Sequence, residues 1–157
     1  MISIIAILLA VPTQTVPLAM LALDGGDGRL FSIAIVDRGS SDSSNERTIN
    51  IACSSGCAAE ETLSQPFDDE PLGIFRLSDQ NNIVYVTAAG GSSYKIKAYY
   101  LGKSKITEVL DTYSLGAPSI ITSDGKEQVF VRHYVSENSK KIVMESLVWN
   151  GAKFIAK

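Results

Sequence analysis

Apolar and polar residues alternate with a period of two along much of this chain. Tyr94, Ile96, Ala98 and Tyr100 fall on one side of an extended segment, with Lys95 and Lys97 on the other. Val129, Val131, His133 and Val135 likewise share one side. Successive side chains of a strand point to opposite faces, so this spacing predicts strands. Only Ala58 to Leu63 admits a helical turn, and it is too short to stand alone.

The strands group into three similar segments. The first runs from Leu23-Asp24-Gly25-Gly26-Asp27-Gly28 through the apolar stretch Leu30 to Val36, a Ser-rich loop, and Thr48 to Cys53. The second runs from Leu77-Ser78-Asp79-Gln80-Asn81-Asn82 through Ile83 to Ala88, then Gly90-Gly91-Ser92-Ser93, then Tyr94 to Leu101. The third runs from Thr122-Ser123-Asp124-Gly125-Lys126 through Val129 to Val135, then Glu137-Asn138-Ser139, then Lys141 to Trp149. Asp124-Gly125 and Asn150-Gly151 suit the positive φ angles of tight hairpins. Hairpin units of roughly 40 to 50 residues predict an all-β fold of antiparallel, blade-like repeats. Three are too few for an ordinary closed propeller, so the expected form is a partial or distorted one. A two-sheet sandwich is the alternative. Gly39 to Asn45 reads as a solvated loop, and Ser54 to Pro71 as the connection between the first and second units.

The N-terminus departs from this pattern. No charge precedes Asp24, and Ile2 to Val11 is almost wholly apolar before Pro12, Gln14 and Pro17 interrupt it. The run is shorter than the ~20 residues a membrane span needs. It has the form of a signal peptide over residues 1–15, with Ala10 as a cleavage point and residues 16–157 as one all-β domain. No Lys or Arg precedes the apolar run, so either the start lies upstream or the signal is unusual; a buried first strand is the competing reading. Export places the protein in the periplasm.

Composition narrows the partners. Of 157 residues, 45% are hydrophobic and 20% charged, and the formal net charge is −3. That mildly acidic balance argues against nucleic acid, whose binders cluster Lys and Arg. No basic amphipathic stretch suggests attraction to anionic lipid, and no membrane partner is expected beyond export. Cys53 and Cys57 enclose Ser54-Ser55-Gly56, a spacing that permits a small disulfide loop in an oxidising compartment; otherwise they are two unpaired thiols. A structural zinc needs four ligands, and His133 is the only histidine, so neither metal nor cofactor is expected.

Catalytic chemistry is hard to assemble. His133 could serve as a base, but its place in an alternating apolar strand fits packing better. Glu60-Glu61 and Asp68-Asp69-Glu70 supply carboxylates that adjacency in a loop marks as solvated rather than catalytic. Asp24-Gly25-Gly26-Asp27-Gly28 lacks the alternating ligands and closing Glu of a calcium loop. The expectation is a binding protein, not an enzyme.

Gly90, Gly91, Ser92, Ser93 and Tyr94 form the candidate contact. This loop joins two strongly patterned strands, carries no bulk at its tip, and can present hydroxyls and backbone amides to a narrow cleft. With export and an all-β fold, it resembles the immunity proteins of type VI secretion, in particular the periplasmic partners of papain-like cysteine amidases that cleave peptidoglycan. The resemblance implies a propeller-like inhibitor that plugs the secreted amidase with Gly91-Ser92-Ser93, a serine hydroxyl bonding the catalytic histidine of the enzyme. Two further readings stay open: an exported module that binds wall glycan or a structural protein, and a small hydrolase using His133.

Overall fold

The computed structural model describes residues 17–25, 27–37, 47–57, 61–78, 81–136 and 138–157. The proposed signal segment and the loop Gly39 to Asn45 lie outside them. The described chain forms twelve strands and no helix: β1 (Pro17–Asp24), β2 (Leu30–Asp37), β3 (Arg47–Ser55), β4 (Thr62–Pro66), β5 (Glu70–Arg76), β6 (Ile83–Gly90), β7 (Ser93–Leu101), β8 (Ile106–Ser114), β9 (Ser119–Ser123), β10 (Lys126–Tyr134), β11 (Ile142–Trp149) and β12 (Phe154–Ala156).

These make three four-stranded antiparallel sheets, each from four strands consecutive in sequence: β1-β2-β3-β4, β5-β6-β7-β8 and β9-β10-β11-β12. The three repeats read from the sequence are the first three strands of each sheet. Each also has a fourth strand. β4 replaces part of the expected connection, and Thr62 and Leu63 are extended rather than helical.

Alternation explains how the sheets pack. In the first sheet Phe31, Ile33, Ile35, Ile49 and Ile51 are almost fully buried. Ile33 pairs with Ile51 and Ile35 with Ile49, so they line one inner face. That face meets Val84, Val86, Ala88, Tyr99 and Leu101 of the second sheet. Ile83, Tyr85, Ile96 and Ala98, at the intervening positions, pack instead against Val129, Val131 and Trp149 of the third. The second sheet is therefore buried on both faces, and the architecture is a three-layer stack. Because β6 contributes to both interfaces, Ile83, Val84, Tyr85 and Val86 are all buried, whereas burial alternates along the first part of β2.

The units are blade-like but do not close into a propeller or barrel; they layer as a sandwich with one sheet more than the two-sheet alternative. Across the first interface equivalent strands meet, β1 with β5 and β4 with β8. Across the second, β10 approaches β8, so the third sheet does not repeat that relation. Truncating a core isoleucine such as Ile33 or Ile51 to Ala should cost about 2–5 kcal/mol, because the close-packed layers leave a cavity.

Candidate functional site

The expected contact loop is the β6–β7 hairpin of the central sheet. Gly90 pairs with Ser93, leaving Gly91 and Ser92 as a two-residue turn. Gly91 has φ 62°, the left-handed region where a glycine avoids strain. Gly91 and Ser92 are exposed; Ser93 and Tyr94 are half-buried. Ser93 Oγ donates to the Gly90 carbonyl at 3.2 Å, which leaves Ser92 as the hydroxyl at the tip. Gly90 is backed by Asp69: a Cβ there would stand 2.5 Å from an Asp69 carboxylate oxygen. Tyr94 pairs with Ala89 and Ser114, so it belongs to the ladder just below the turn. Tyr85, five residues from the turn, is fully buried against Phe75 and Phe154 and holds the strand rather than the tip.

Below the turn a polar row runs along β7 and β8. Lys95 Nζ donates to Tyr113 Oη at 3.0 Å and lies 3.6 Å from Asp111 and 3.8 Å from Asp69. Lys97 Nζ bonds Glu108 and Asp111, both at 2.9 Å. Partial burial alone would lower both lysines; the Tyr113 bond and flanking carboxylates outweigh it at Lys95, and Asp111 and Glu108 do so at Lys97. Gln65 Nε2 reaches across from the first sheet to Tyr99 Oη at 2.6 Å and Glu108 at 2.5 Å. Burial, then the charge of Glu108, raises the Tyr99 phenol far above its ordinary range. The row fixes the base of the hairpin with charge-assisted bonds. Sequence reasoning saw Lys95 and Lys97 on one side but missed their partners Glu108, Asp111 and Tyr113, which lie on a strand it did not assign.

The other candidates fall elsewhere. Cys53 and Cys57 are joined, with Cα atoms 6.2 Å apart, at the β3–β4 turn. His133 shares the inner-facing register of Val129 and Val131, yet its side chain is 43% exposed and faces Glu145 at 3.9 Å. It stands beyond the core rather than in it, and among the described residues no hydroxyl or thiol bonds it. Three of the five loop carboxylates are tied to other groups, whereas Asp68 is exposed and Glu60 lies outside the described residues. Glu61 is buried 3.3 Å from Arg29, Glu70 lies 2.7 Å from Arg47, and Asp69 packs on Gly90. Asp27 accepts from Arg29 within the β1–β2 turn, as a hairpin residue would. Trp149 is 4% exposed and offers no indole for stacking on a sugar. Among the described residues no group of three or more His, Cys, Asp or Glu is placed to hold a metal.

No protein-family model matches the chain, and no curated protein or solved structure does either.

Proposed function

We propose that the chain works by binding another protein, with the Gly91–Ser92 turn as the element that enters a partner cleft. The observation that carries this is mechanical. The turn is exposed and without bulk, and it caps two strands whose sheet is buried on both faces. A tip on such a support loses little conformational freedom on docking, which favours tight binding over a small area. The partner is a secreted cysteine amidase that cleaves peptidoglycan, whose narrow active-site groove suits a glycine-serine tip. The chain is its periplasmic inhibitor. The Cys53–Cys57 bridge is compatible with that oxidising compartment.

The test is an amidase assay titrated with the purified chain and its variants. Ser92→Trp should abolish inhibition by steric exclusion while circular dichroism stays unchanged. Ser92 is a cleaner site than Gly91, whose positive φ would add backbone strain to any replacement. Ser92→Ala should weaken inhibition by about 1–3 kcal/mol if its hydroxyl meets a buried group. His133→Phe should inhibit normally. Full inhibition by Ser92→Trp would move the contact elsewhere, and no inhibition by the unmodified chain would reject the amidase as partner.

A further inference from the structure

Each sheet ends in two edge strands, and a free edge invites pairing unless it is short, charged, bulged or interrupted by proline. Most edges here have such a guard. β4 and β9 have five residues each, with Pro66 closing β4, and β12 has three. β5 carries Glu70, Pro71 and a break in register before Gly73, and β8 carries Glu108, Asp111 and a break of its own. β1 differs. It is eight residues long, has no charge from Pro17 to Leu23, and its irregularity is confined to the start, between Pro17 and Ala19. It is also apolar on both sides: Met20 is 70% exposed on the outer face, while Ala19, Leu21 and Leu23 are half-buried against the first core.

The ladder shows which backbone groups of β1 are open. Gly25 N–H donates to the Arg29 carbonyl, and Leu23, Leu21 and Ala19 continue that register opposite Phe31, Ile33 and Ile35. In an antiparallel pair such hydrogen-bonded residues alternate with ones whose N–H and C=O point the other way. Met20 and Ala22 therefore turn theirs to the free edge, where no hydrogen bond meets them among the described residues. The Asp24 carbonyl, next in that row, accepts from Arg76 Nη1, so the open stretch ends there.

We propose that the free edge of β1 pairs antiparallel with β1 of a second copy, about a two-fold axis at Leu21. Met20 of each copy then stands opposite Ala22 of the other and exchanges both backbone bonds with it, so the open groups satisfy one another. Directly opposed residues share a face, so both first sheets keep their inner faces on the same side. Leu21 meets Leu21 there, and Ala19 meets Leu23, which carries the first core across the junction. Composition selects the occupant. A strand added at this edge must be uncharged and apolar on both sides, and β1 itself has those properties. Antiparallel pairing also sends the two Asp24 side chains to opposite ends, so no like charges are opposed. The two-fold arrangement is the commonest among homo-oligomers, because one patch serves as both halves of the contact.

The experiment is sedimentation velocity of the full chain from about 1 to 100 μM, since a junction one strand wide falls below the about 800 Å² per partner of a standard interface and should dissociate on dilution. The expected result is a reversible monomer–dimer equilibrium. Met20→Pro removes an N–H that β2 does not use, and should weaken the dimer at least about tenfold while circular dichroism stays unchanged. Leu21→Cys reads the register with a milder change. Mild oxidation should link it into a covalent dimer, because opposed residues of this non-bonded type approach to about 4.5 Å between Cα atoms. Ala22→Cys lies off the axis, out of reach of its own copy, and should cross-link at least about tenfold more slowly. A monomer throughout the concentration range overturns the proposal, and so does equal cross-linking at the two positions. A dimer that Met20→Pro leaves intact would place the contact elsewhere. A monomer whose Met20 and Ala22 amides resist hydrogen exchange would give the edge to another segment of the same chain.

Discussion

Replacing Glu127 by Gln should stabilise the protein at neutral pH. Glu127 is fully buried between the second and third sheets. One carboxylate oxygen accepts from Asn81 Nδ2; the other has no hydrogen-bond partner among the described residues, and neither has the buried hydroxyl of Tyr85. Burial raises the Glu127 carboxyl above its ordinary range, against the opposing effects of Asn81, its own backbone N–H, Ser78 and Arg76. Burial and the Glu127 charge together push the Tyr85 phenol far up. A carboxyl whose folded pKa is raised favours folding below its unfolded pKa and loses that contribution as pH rises through the folded pKa. As pH rises through the raised folded pKa, the native state takes on the cost of an under-bonded buried charge. Leaving a buried group unsatisfied costs about 1–3 kcal/mol. Gln keeps an acceptor for Asn81, removes the charge and offers an N–H toward Tyr85, so a gain of about 1–2 kcal/mol is expected at pH 7. Below about pH 4 the native carboxyl is protonated and the gain should vanish. Urea unfolding of both proteins at the two pH values measures it. A Glu127→Gln protein less stable at pH 7, or a difference independent of pH, would show that the charge is satisfied by Arg76 and its neighbours.

Two shorter predictions concern the other ties. Arg29→Ala should cost about 3–5 kcal/mol in the same unfolding assay, because it strands buried Glu61 and frees the Leu101 and Gly102 carbonyls; a loss under 1 kcal/mol would mean water replaces it. Reducing Cys53–Cys57, or changing both to Ser, should cost about 1–2 kcal/mol, since so short a loop constrains the unfolded chain little; alkylation of the unreduced, unfolded protein should label neither thiol.

The strands were legible where one face is buried and the other wet. Val129 to Val135 declares itself by alternation, Leu30 to Val36 by its apolar run, and Asp124-Gly125 declares its hairpin, with φ of 50° and 71° in the structure. The fourth strands were not legible. Thr62–Pro66 and Phe154–Ala156 are short edge strands whose polar or exposed residues carry little period-two signal. Lys97 pointed the same way but was read only as a polar position. Its burial at 7% exposure depends on Glu108 and Asp111, from a strand no pattern had identified. The layering left no distinct sequence trace, since Ile83-Val84-Tyr85-Val86, buried on both faces, reads as apolar as Ile33-Ala34-Ile35-Val36, which is not. The turn Gly91-Ser92 was legible as a turn; the stiffness beneath it was not, because that comes from the other two sheets.

Apolar faces alone would leave a stack of three similar sheets underdetermined, since burial is non-directional and any two inner faces could meet. The polar ties supply the direction. Arg29, just before β2, crosses from the first sheet to the β7–β8 turn of the second, with Nη2 3.2 Å from the Leu101 carbonyl. Asn81, just before β6, crosses from the second sheet to the Gly125 carbonyl and the Glu127 carboxylate of the third. Both crossings leave the first hairpin turn of one unit and end on the next unit in sequence. A first sheet stacked directly on the third would bury Arg29 without its carbonyls and Glu127 without its amide, a penalty of several kcal/mol for each unpaired buried charge. These residues thus select the order of layers more than they add stability. That order puts the hairpin bearing Gly91 and Ser92 on the sheet that, among the described residues, is supported from both sides.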